Sequence, residues 1–263
     1  MSQDNHKEII AIGDIHGRKL WRRIVEKNPE AHIVFMGDYC DPYEYIGGGR
    51  LLNNLNGIIN LKHKEPDRIT LLLGNHDMHY ITNDFSRGTR YDNCIADELK
   101  YTLQINRNDF CYAWQYRNLL FTHSGVSKHW LETIFKKDIY PNAAYVFNNT
   151  DITDNDRNAL FACGKYRGGD DAYGGIFWAD IREFDSLPEG FIQIAGHNRV
   201  TEIRHFSSAD VSTDTCADIF VCDCLVNFKY LRITIDNDDA CFYEMDLEDD
   251  SSTLLAHKYI SSE

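Results

Sequence analysis

Short polar motifs follow apolar runs of strand length at five places in this chain, and this regularity constrains the fold more than any other feature. One motif is Gly37-Asp38-Tyr39-Cys40-Asp41, which offers two carboxylates directly after the apolar run from His32 to Met36. In open α/β sheets, ligands collect outside the carboxyl ends of the strands, so the pattern predicts an α/β fold with one site built from five strand ends. The candidate ligands after the other four runs are Asp14 with His16, Asn75 with His76, His123, and His197.

The residue types in these motifs predict a pair of divalent metal ions. Carboxylate, imidazole and amide oxygen groups suit hard and borderline cations, and two ions about 3.5–4 Å apart can grip one phosphoryl group. Asp14 and His16 are alternate residues, so both side chains can point toward one ion. We expect Asp38 to bridge the two ions. The predicted ligands are Asp14, His16 and Asp38 for the first ion, and Asp38, Asn75, His123 and His197 for the second.

Length and composition indicate a single domain, residues 1–263, of ordinary cytoplasmic type. A chain of 263 residues can bury a sizeable core as one α/β domain, and no apolar run approaches membrane-spanning length. The net charge of -14 argues against a broad nucleic-acid or anionic-membrane surface, because such partners need clustered Lys and Arg. The first seven residues lack the apolar segment of a signal peptide, so we expect a cytoplasmic location. The scattered eight cysteines are expected to be reduced.

Apolar spacing predicts two segments between site-bearing strands and a β-rich region after them. Residues 128–162 show helical spacing behind Ser127, a fair N-cap, and are predicted to form a helical insertion. Residues 164–175 are rich in glycine and charge and are predicted to form a mobile loop. Phe110 to Trp114 is predicted to be one strand, paired with Leu119 to Thr122. Further strands are expected after the last histidine motif, with residues 248–250 and the final residues forming a tail.

Together these motifs resemble those of the calcineurin-like metallophosphoesterase superfamily, especially its phosphoprotein phosphatase and diadenosine tetraphosphatase branch. The resemblance spans about residues 9–200, in order and at roughly the expected intervals. Any single fragment also occurs by chance in turns that cap strands, whereas five in one order do not fit that explanation. The five motifs are Gly13-Asp14-Ile15-His16-Gly17, Gly37-Asp38-Tyr39-Cys40-Asp41, Gly74-Asn75-His76-Asp77, Thr122-His123-Ser124-Gly125 and Gly196-His197. In addition, Phe177-Trp178-Ala179-Asp180 resembles a short segment that this branch carries between its last two metal histidines.

The resemblance implies a four-layered α/β/β/α sandwich with two mixed sheets and the site at one end. It also implies a hydrolase with two divalent ions, Mn, Fe, Zn or Co, in which a hydroxide that bridges the ions attacks phosphorus in line. His76, which lies outside the ligand set, would protonate the leaving alkoxide, and Asp41 would hold its imidazole in the cationic form. Asp77 is an alternative carboxylate for this orienting role.

One position departs from the family pattern. The phosphatase branch usually has an arginine that binds the substrate phosphate directly after the position of Asp41, and this chain has Pro42 there. A second arginine, expected near the last metal histidine, has no clear counterpart. Arg167 and Arg199 are the candidate replacements, since arginine suits bidentate phosphate contact. The alternative is that both are solvated surface residues.

These features predict a metal-dependent phosphoesterase that hydrolyses phosphate esters or phosphoanhydrides. Because Pro42 cannot bind phosphate and the 164–175 loop could close over an anion, we expect a phosphorylated small molecule or nucleotide as substrate. A Ser/Thr protein phosphatase is the alternative within the same chemistry. A non-catalytic protein-binding scaffold is the alternative of another class, although such relatives lose ligands or the equivalent of His76. A nuclease conflicts with the acidic composition, and the oligomeric state is not predicted.

Overall fold

The computed structural model describes residues 6–82, 88–150, 158–208 and 217–261, and two β-sheets form its centre. The sequence-predicted strands at residues 8–12, 32–36, 69–73 and 119–122 are present with bounds that differ by at most one residue. The strands are β1 (Glu8–Ile12), β2 (His32–Phe35), β3 (Ile69–Leu72), β4 (Phe110–Cys111), β5 (Ala113–Tyr116), β6 (Leu119–Thr122), β7 (Ile192–Arg199), β8 (Arg204–Ser208), β9 (Ala217–Asp223), β10 (Lys229–Asp236), β11 (Asp239–Asp246) and β12 (Ser252–Tyr259).

Both sheets are mixed. The first has the order β12-β11-β10-β1-β2-β3-β4, in which β1 to β4 run parallel and β10 to β12 run antiparallel to their neighbours. The second has the order β5-β6-β7-β9-β8, with parallel central strands and an antiparallel strand at each edge. The parallel strands bring their carboxyl ends, and the motifs that follow them, to one end of each sheet.

Alternate side chains along the strands pack into different apolar layers. Ile9 of β1 belongs to a buried cluster with Phe121 of the second sheet, so this cluster fills the space between the sheets. Its neighbour Ile10 faces the other way and packs in the layer that contains the helix residue Ile24. Full burial of each such side chain contributes about 1.5–3 kcal/mol. The result is the predicted α/β/β/α sandwich with two mixed sheets and flanking helices, which is confirmed.

The helices cover the outer faces of the sheets. The longest is preceded by glycine and carries buried residues at helical spacing, including Leu51, Leu55 and Ile58, which pack onto the first sheet. No helix within the described ranges is long and apolar enough to cross a membrane. The helices are α1 (Trp21–Lys27), α2 (Gly48–Lys64), α3 (Asn75–Ile81), α4 (Ala96–Ile105), α5 (Lys128–Trp130) and α6 (Ala143–Asn149), with a π-helical turn at Leu131–Phe135.

The prediction of one strand from Phe110 to Trp114 is wrong. The chain crosses between the sheets here: β4 pairs with β3 in the first sheet, and β5 pairs with β6 in the second. Tyr112 separates the two strands. Because β4 and β5 are both partly buried, the apolar pattern continues across the crossing and hides it.

The prediction of a carboxyl-terminal tail is also wrong. Residues 252–259 form β12, an edge strand that pairs with β11 along its length. Most of its side chains are exposed or only partly buried, so the strand lacks the apolar alternation by which strands are recognised in a sequence.

The two predicted segments between site-bearing strands differ in character. Residues 128–150 contain α5, the π-helical turn and α6, while residues 151–157 of the predicted insertion lie outside the described residues. In the glycine-rich segment, Gly164 forms a β-bridge with Asp171, and a Cβ on Gly174 would lie 2.2 Å from the Trp178 carbonyl oxygen. Gly174 therefore permits close packing of the backbone, whereas the glycines of this segment were predicted to make it mobile.

Candidate metal centre

Tight turns after the strands present the candidate ligands from strained backbone. His16, Asp38, Asp41 and His197 have φ values of 42, 51, 53 and 60°, in the left-handed region that residues other than glycine rarely adopt. Gly37, at φ 101°, allows the turn after β2 to touch the turn after β3, because a Cβ there would lie 2.5 Å from the Gly74 nitrogen. Other residues, such as Asn237 and Asp250, also have positive φ, but these four are buried or half-buried polar residues at one end of the sheets, where such strain is typical of a functional site.

The first group of candidate ligands is Asp14, His16 and Asp38, all buried. His16 Nε2 lies 3.5 Å from Asp38 Oδ2 and 3.9 Å from Asp14 Oδ2. The other ring nitrogen, Nδ1, donates to the Cys40 carbonyl oxygen at 2.8 Å, which assigns the neutral tautomer with a lone pair on Nε2. Burial lowers the pKa of His16 well below its ordinary value, so this tautomer is neutral.

The second group joins the two sheets. Asp38 and Asn75 follow strands of the first sheet, while His123 follows β6 and His197 lies in β7 of the second. Asn75 Oδ1 lies 3.0 Å from His123 Nε2 and 2.9 Å from His197 Nδ1, and Asp38 Oδ1 lies 3.5 Å from His123 Nε2. The structure thus brings together all six residues predicted as metal ligands, and their ligand role stays a prediction.

The donor set fits a cation because its acceptors face one another. His123 Nδ1 donates to the Met36 carbonyl oxygen at 2.7 Å, and burial lowers the pKa of this histidine to about 3, so Nε2 carries a lone pair. That lone pair faces oxygens of Asn75 and Asp38. The buried Nε2 of His197 has no hydrogen-bond partner among the described residues. Buried polar atoms are almost always paired, so a positive ion satisfies this arrangement better than the side chains alone.

Buried carboxylates crowd around the same point. Burial, together with the charges of neighbouring aspartates, raises the pKa of Asp14 and of Asp38 well above the ordinary value. Asp223, at the end of β9, lies against Asp14 and shares this repulsion. Asp223 was not predicted as a site residue from the sequence, although it also ends a buried strand. Metal cations would compensate this negative charge.

His76 is held by a network beside the ligands. Its Nδ1 lies 2.7 Å from Asp41 Oδ2, and its Nε2 faces the cavity. Asp41 Oδ2 is also 2.7 Å from His79 Nε2, and Asp41 Oδ1 accepts a 2.5 Å hydrogen bond from the Tyr80 hydroxyl. Burial by itself raises the pKa of Asp41, but these three donors outweigh burial and hold the pKa below its ordinary value. Asp41 is therefore an ionised carboxylate that fixes the His76 ring.

Asp77, the alternative partner for His76, has a different environment. Its Oδ2 accepts from the Gly74 nitrogen and its Oδ1 from the Tyr39 nitrogen, both at 2.9 Å. It thus ties the turn after β2 to the start of α3 and is not bonded to His76. His79 and Tyr80 were missed from the sequence, although they follow His76 at helical spacings of three and four residues.

A cavity of about 430 Å³ opens over the candidate ligands, and two arginines line it. Arg90 was missed: its Nη2 donates to His76 Nε2 at 3.2 Å, and its Nε donates to the Asp41 carbonyl oxygen at 3.1 Å. This carbonyl directly precedes Pro42, so Arg90 brings a guanidinium beside the position at which the resemblance had led us to expect an arginine. No spacing rule connects residue 90 to residue 42, which is why sequence reasoning missed it.

The two arginines proposed from the sequence lie in different places. Arg167 lines the cavity, but Asp180 holds its Nε at 2.8 Å and Asn198 accepts from its Nη2. It is therefore anchored to the wall of the site. Arg199 is outside the cavity lining, and its guanidinium carbon lies 5.0 Å from the centre of the Tyr43 ring at the cavity edge. The substrate-binding role of both stays a prediction.

Comparisons with known proteins agree with this geometry. A family model described as calcineurin-like phosphoesterase matches residues 7–226. A protein serine/threonine phosphatase from Saccharomyces cerevisiae, described as similar to human phosphatase PP5, matches with a TM-score of 0.52 at 15% identity. The match covers 93% of this chain and 81% of the phosphatase chain. Vacuolar Protein Sorting 29 from Cryptosporidium parvum matches with a TM-score of 0.40 at 10% identity, and the match covers 98% of this chain and 100% of that protein's chain. At these identities the likeness concerns the fold alone.

Proposed function

Because this chain belongs to the calcineurin-like phosphoesterase family, we propose that it is a metal-dependent phosphoesterase that hydrolyses phosphate esters or phosphoanhydrides. The observation that carries the proposal is the meeting of carboxylate, amide-oxygen and imidazole groups from both sheets beneath a cavity that Arg90 and Arg167 line. Such groups suit metal ions, and guanidinium groups suit phosphate.

The proposed metal positions follow the two groups of ligands. Asp14, His16 and Asp38 would hold one ion, and Asp38, Asn75, His123 and His197 the other, with Asp38 shared. Mixed imidazole and carboxylate ligands favour Mn, Fe, Zn or Co over Ca, which prefers oxygen alone. Bound there, two divalent ions supply an activated water and neutralise charge on the phosphoryl oxygens.

The side chains of the site divide the remaining work. Arg90 and Arg167 would bind the phosphoryl oxygens from the cavity wall. His76 would give the proton on Nε2 to the leaving-group oxygen, and Asp41 would compensate the charge of the protonated ring. Burial and the neighbouring Arg90 lower the pKa of His76, so an anion that draws Arg90 toward itself would also favour protonation of His76.

A small phosphorylated molecule is the proposed substrate class. The cavity of about 430 Å³ has the size of a small-ligand site. The Arg167 guanidinium, which lines the cavity from the 164–175 segment, is fixed by its ion pair with Asp180, so its position does not depend on closure of a loop. A phosphoprotein is the alternative substrate, and it would place only a phosphorylated side chain in this space.

The test combines metal analysis with hydrolysis of p-nitrophenyl phosphate. We expect protein reconstituted with Mn²⁺ to bind two ions per chain and to hydrolyse this substrate, and chelation to abolish hydrolysis. Asp38→Asn should lower occupancy of both positions, since both groups share Asp38. Asp236→Asn, at the exposed end of β10, is the matched control and should behave like the parent protein.

Two results would contradict the proposal. Binding of fewer than two ions after reconstitution would remove the dinuclear site. Full occupancy without hydrolysis of p-nitrophenyl phosphate, nucleotides or phosphopeptides would favour the non-catalytic scaffold. A preference for phosphopeptides over nucleotides would leave the phosphoesterase proposal intact and favour the protein phosphatase alternative.

A further inference from the structure

Three arginine side chains surround one tyrosine at the edge of the cavity. The guanidinium carbons of Arg90, Arg199 and Arg18 lie 3.9, 5.0 and 5.6 Å from the centre of the Tyr43 ring. The ring is 46% exposed and packs edge-on against the candidate ligand His16, with ring centres 4.9 Å apart. This cluster, Arg18, Arg90, Arg199 and Tyr43, therefore adjoins the metal centre and is open to solvent.

The charge of the cluster is not compensated by carboxylates in contact with it. The chain has 41 acidic and 27 basic residues, so most arginines should find a carboxylate close by. Among the described residues, none of these three arginines has a carboxylate at ion-pair distance. Asp14 and Asp223 act on Arg18, and Asp223 also acts on Arg199, but from beyond ion-pair distance, and both carboxylates belong to the crowded group that faces the candidate metal positions.

Stacking on Tyr43 alone does not account for the cluster. A cation–π contact at an exposed ring is too weak to explain why three like charges are gathered around it. Two of the three have further structural roles: Arg18 Nη1 donates to the Asp14 and Ile15 carbonyl oxygens, and Arg90 donates to His76 Nε2 and to the Asp41 carbonyl oxygen. The Arg199 side chain makes no hydrogen bond or ion pair with the described residues and is exposed, and its contact is with the Tyr43 ring. An anion is the partner that such a cluster lacks.

We propose that this cluster is a second anion-binding subsite, which selects substrates that carry another phosphate next to the one being cleaved. Arg90 links the two subsites, because one end of its guanidinium contacts His76 and its face covers Tyr43. A substrate held at the metal centre would extend past His16 toward Arg199. The substrate class is thus a phosphoanhydride, such as a nucleoside diphosphate or inorganic polyphosphate, in preference to a monoester. This inference rests on the proposed function.

The test compares two non-hydrolysable anions that differ by one phosphonate group. Methylenediphosphonate and methylphosphonate are titrated by calorimetry into protein saturated with Mn²⁺, and each is then used to inhibit p-nitrophenyl phosphate hydrolysis. We expect the parent protein to bind the diphosphonate at least about tenfold more tightly, since a charge-assisted hydrogen bond is worth about 1.5–3 kcal/mol. Arg199→Ala should reduce this preference to about threefold or less.

Control variants separate the subsite from general loss of charge or of folding. Arg22→Ala removes an arginine that also stacks on an aromatic ring, Trp21, at 4.4 Å, but lies on α1 away from the cavity lining, and should keep the preference. Tyr43→Ala tests the cluster without changing a charge and should weaken the preference as Arg199→Ala does. Arg18→Ala is less suitable because it removes hydrogen bonds to the turn after β1.

The outcomes distinguish this inference from the proposed function. Equal binding of the two anions by a protein that hydrolyses p-nitrophenyl phosphate would overturn the subsite and leave the phosphoesterase proposal standing. A preference that persists in both Arg199→Ala and Tyr43→Ala would also overturn it, because chelation of metal would then explain the preference. Absence of all hydrolysis would contradict the proposed function, while an Arg199-dependent binding preference would still support the subsite. If Arg199→Ala weakens the binding only of phosphopeptides with flanking acidic residues, the subsite recognises acidic peptides and not phosphoanhydrides, and the inference is overturned.

Discussion

At the scale of single residues, the direction of hydrogen bonds around His76 decides which of its nitrogens can do chemistry. The Gly88 nitrogen donates to His79 Nδ1 at 3.1 Å, so His79 carries its proton on Nε2, against Asp41. Tyr80 donates to the same carboxylate. Asp41 is therefore surrounded by donors and can only accept from His76 Nδ1. The remaining nitrogen, Nε2, is left for the cavity.

We predict that His76→Ala lowers kcat by about 100- to 10,000-fold on phenyl phosphate, the usual contribution of a general acid. The loss should be smaller on p-nitrophenyl phosphate, because its leaving group needs little protonation. Steady-state kinetics on this matched pair of substrates is the measurement, with metal content determined alongside. His63→Ala, which removes an exposed histidine of α2, is the control. Equal losses on both substrates would count against the acid role.

How far single residues can be predicted from the sequence depends on whether neighbours in space are also neighbours along the chain. Asp38 and His76 stand in motifs directly after strands, and their places follow from that order. Arg90 reaches the site from a turn 14 residues after His76, and no periodicity announces it. The left-handed backbone of His16 and His197 could not be predicted either, because glycine is the residue type that indicates this conformation in a sequence.

At the scale of elements, the centre depends on how closely the strand ends approach one another. The turns after β2 and β3 touch at two glycines, and a Cβ on Gly74 would lie 2.1 Å from Asp38 Oδ1. Gly74 has φ −104°, which alanine tolerates, so the constraint is space and not backbone strain. The contact explains why glycine precedes the Asn75-His76 motif.

We therefore predict that Gly74→Ala weakens metal binding by about 10- to 100-fold without changing any ligand, as loss of support around a metal ligand typically does. The added methyl group would push the Asp38 carboxylate out of its position. Calorimetric titration with Mn²⁺ measures the effect, and circular dichroism checks that the fold persists. Gly49→Ala in α2 is the matched control, because a Cβ there meets nothing within 4 Å. Unchanged affinity in a folded Gly74→Ala protein would show that Asp38 does not need its present position.

Elements with one buried face or two could be predicted, and those that depend on distant pairing could not. β1, β2 and β3 are buried along almost their whole length and gave clear apolar runs. β12 is recognisable only from its pairing with β11, because an exposed edge strand has little apolar pattern. The change of sheet at Tyr112 likewise depends on the pairing of β4 with β3 and of β5 with β6, and the local sequence does not indicate these partners.

At the scale of the whole molecule, the candidate centre joins two sheets that also pack against each other through the apolar cluster of Ile9 and Phe121 and through the ion pair of Lys258 with Asp218. Asp14, Asp38 and Asn75 come from the first sheet, whereas His123 and His197 come from the second. Without ions, the buried carboxylates at this junction repel one another. A carboxyl whose pKa is raised in the folded state stabilises the fold at low pH, and that stability is lost as the pH rises through the folded-state pKa. The metal-free fold should therefore be weakest, at this junction, near neutral pH.

We predict that Asp38→Asn has opposite effects on stability without and with metal. In a chelator near pH 7, the variant should be more stable than the parent and have a higher Tm, because burial and the neighbouring aspartates raise the pKa of Asp38 well above its ordinary value in the folded state. This gain should shrink toward pH 4, because Asp38 is then increasingly protonated in the unfolded parent as well as in the folded one. With excess Mn²⁺ the order should reverse. An ion at a free concentration of 100 times Kd adds about 2.7 kcal/mol of stability per site, and each kcal/mol raises the Tm of a chain of this size by about 2–4 °C. The parent Tm should therefore rise by at least about 5 °C. The Tm of the variant should rise much less.

Scanning calorimetry at both pH values, with and without Mn²⁺, measures all four states of this comparison, and Asp236→Asn serves as the control because its carboxylate is exposed. The reversal of order is the decisive result. An Asp38→Asn protein that is less stable than the parent by the same amount with and without Mn²⁺ would mean that the carboxylate supports the fold only through its bond from the His76 nitrogen, at 2.8 Å, and does not bind metal. A reversal would instead tie the stability of the junction between the sheets to the same charge that the proposed chemistry requires.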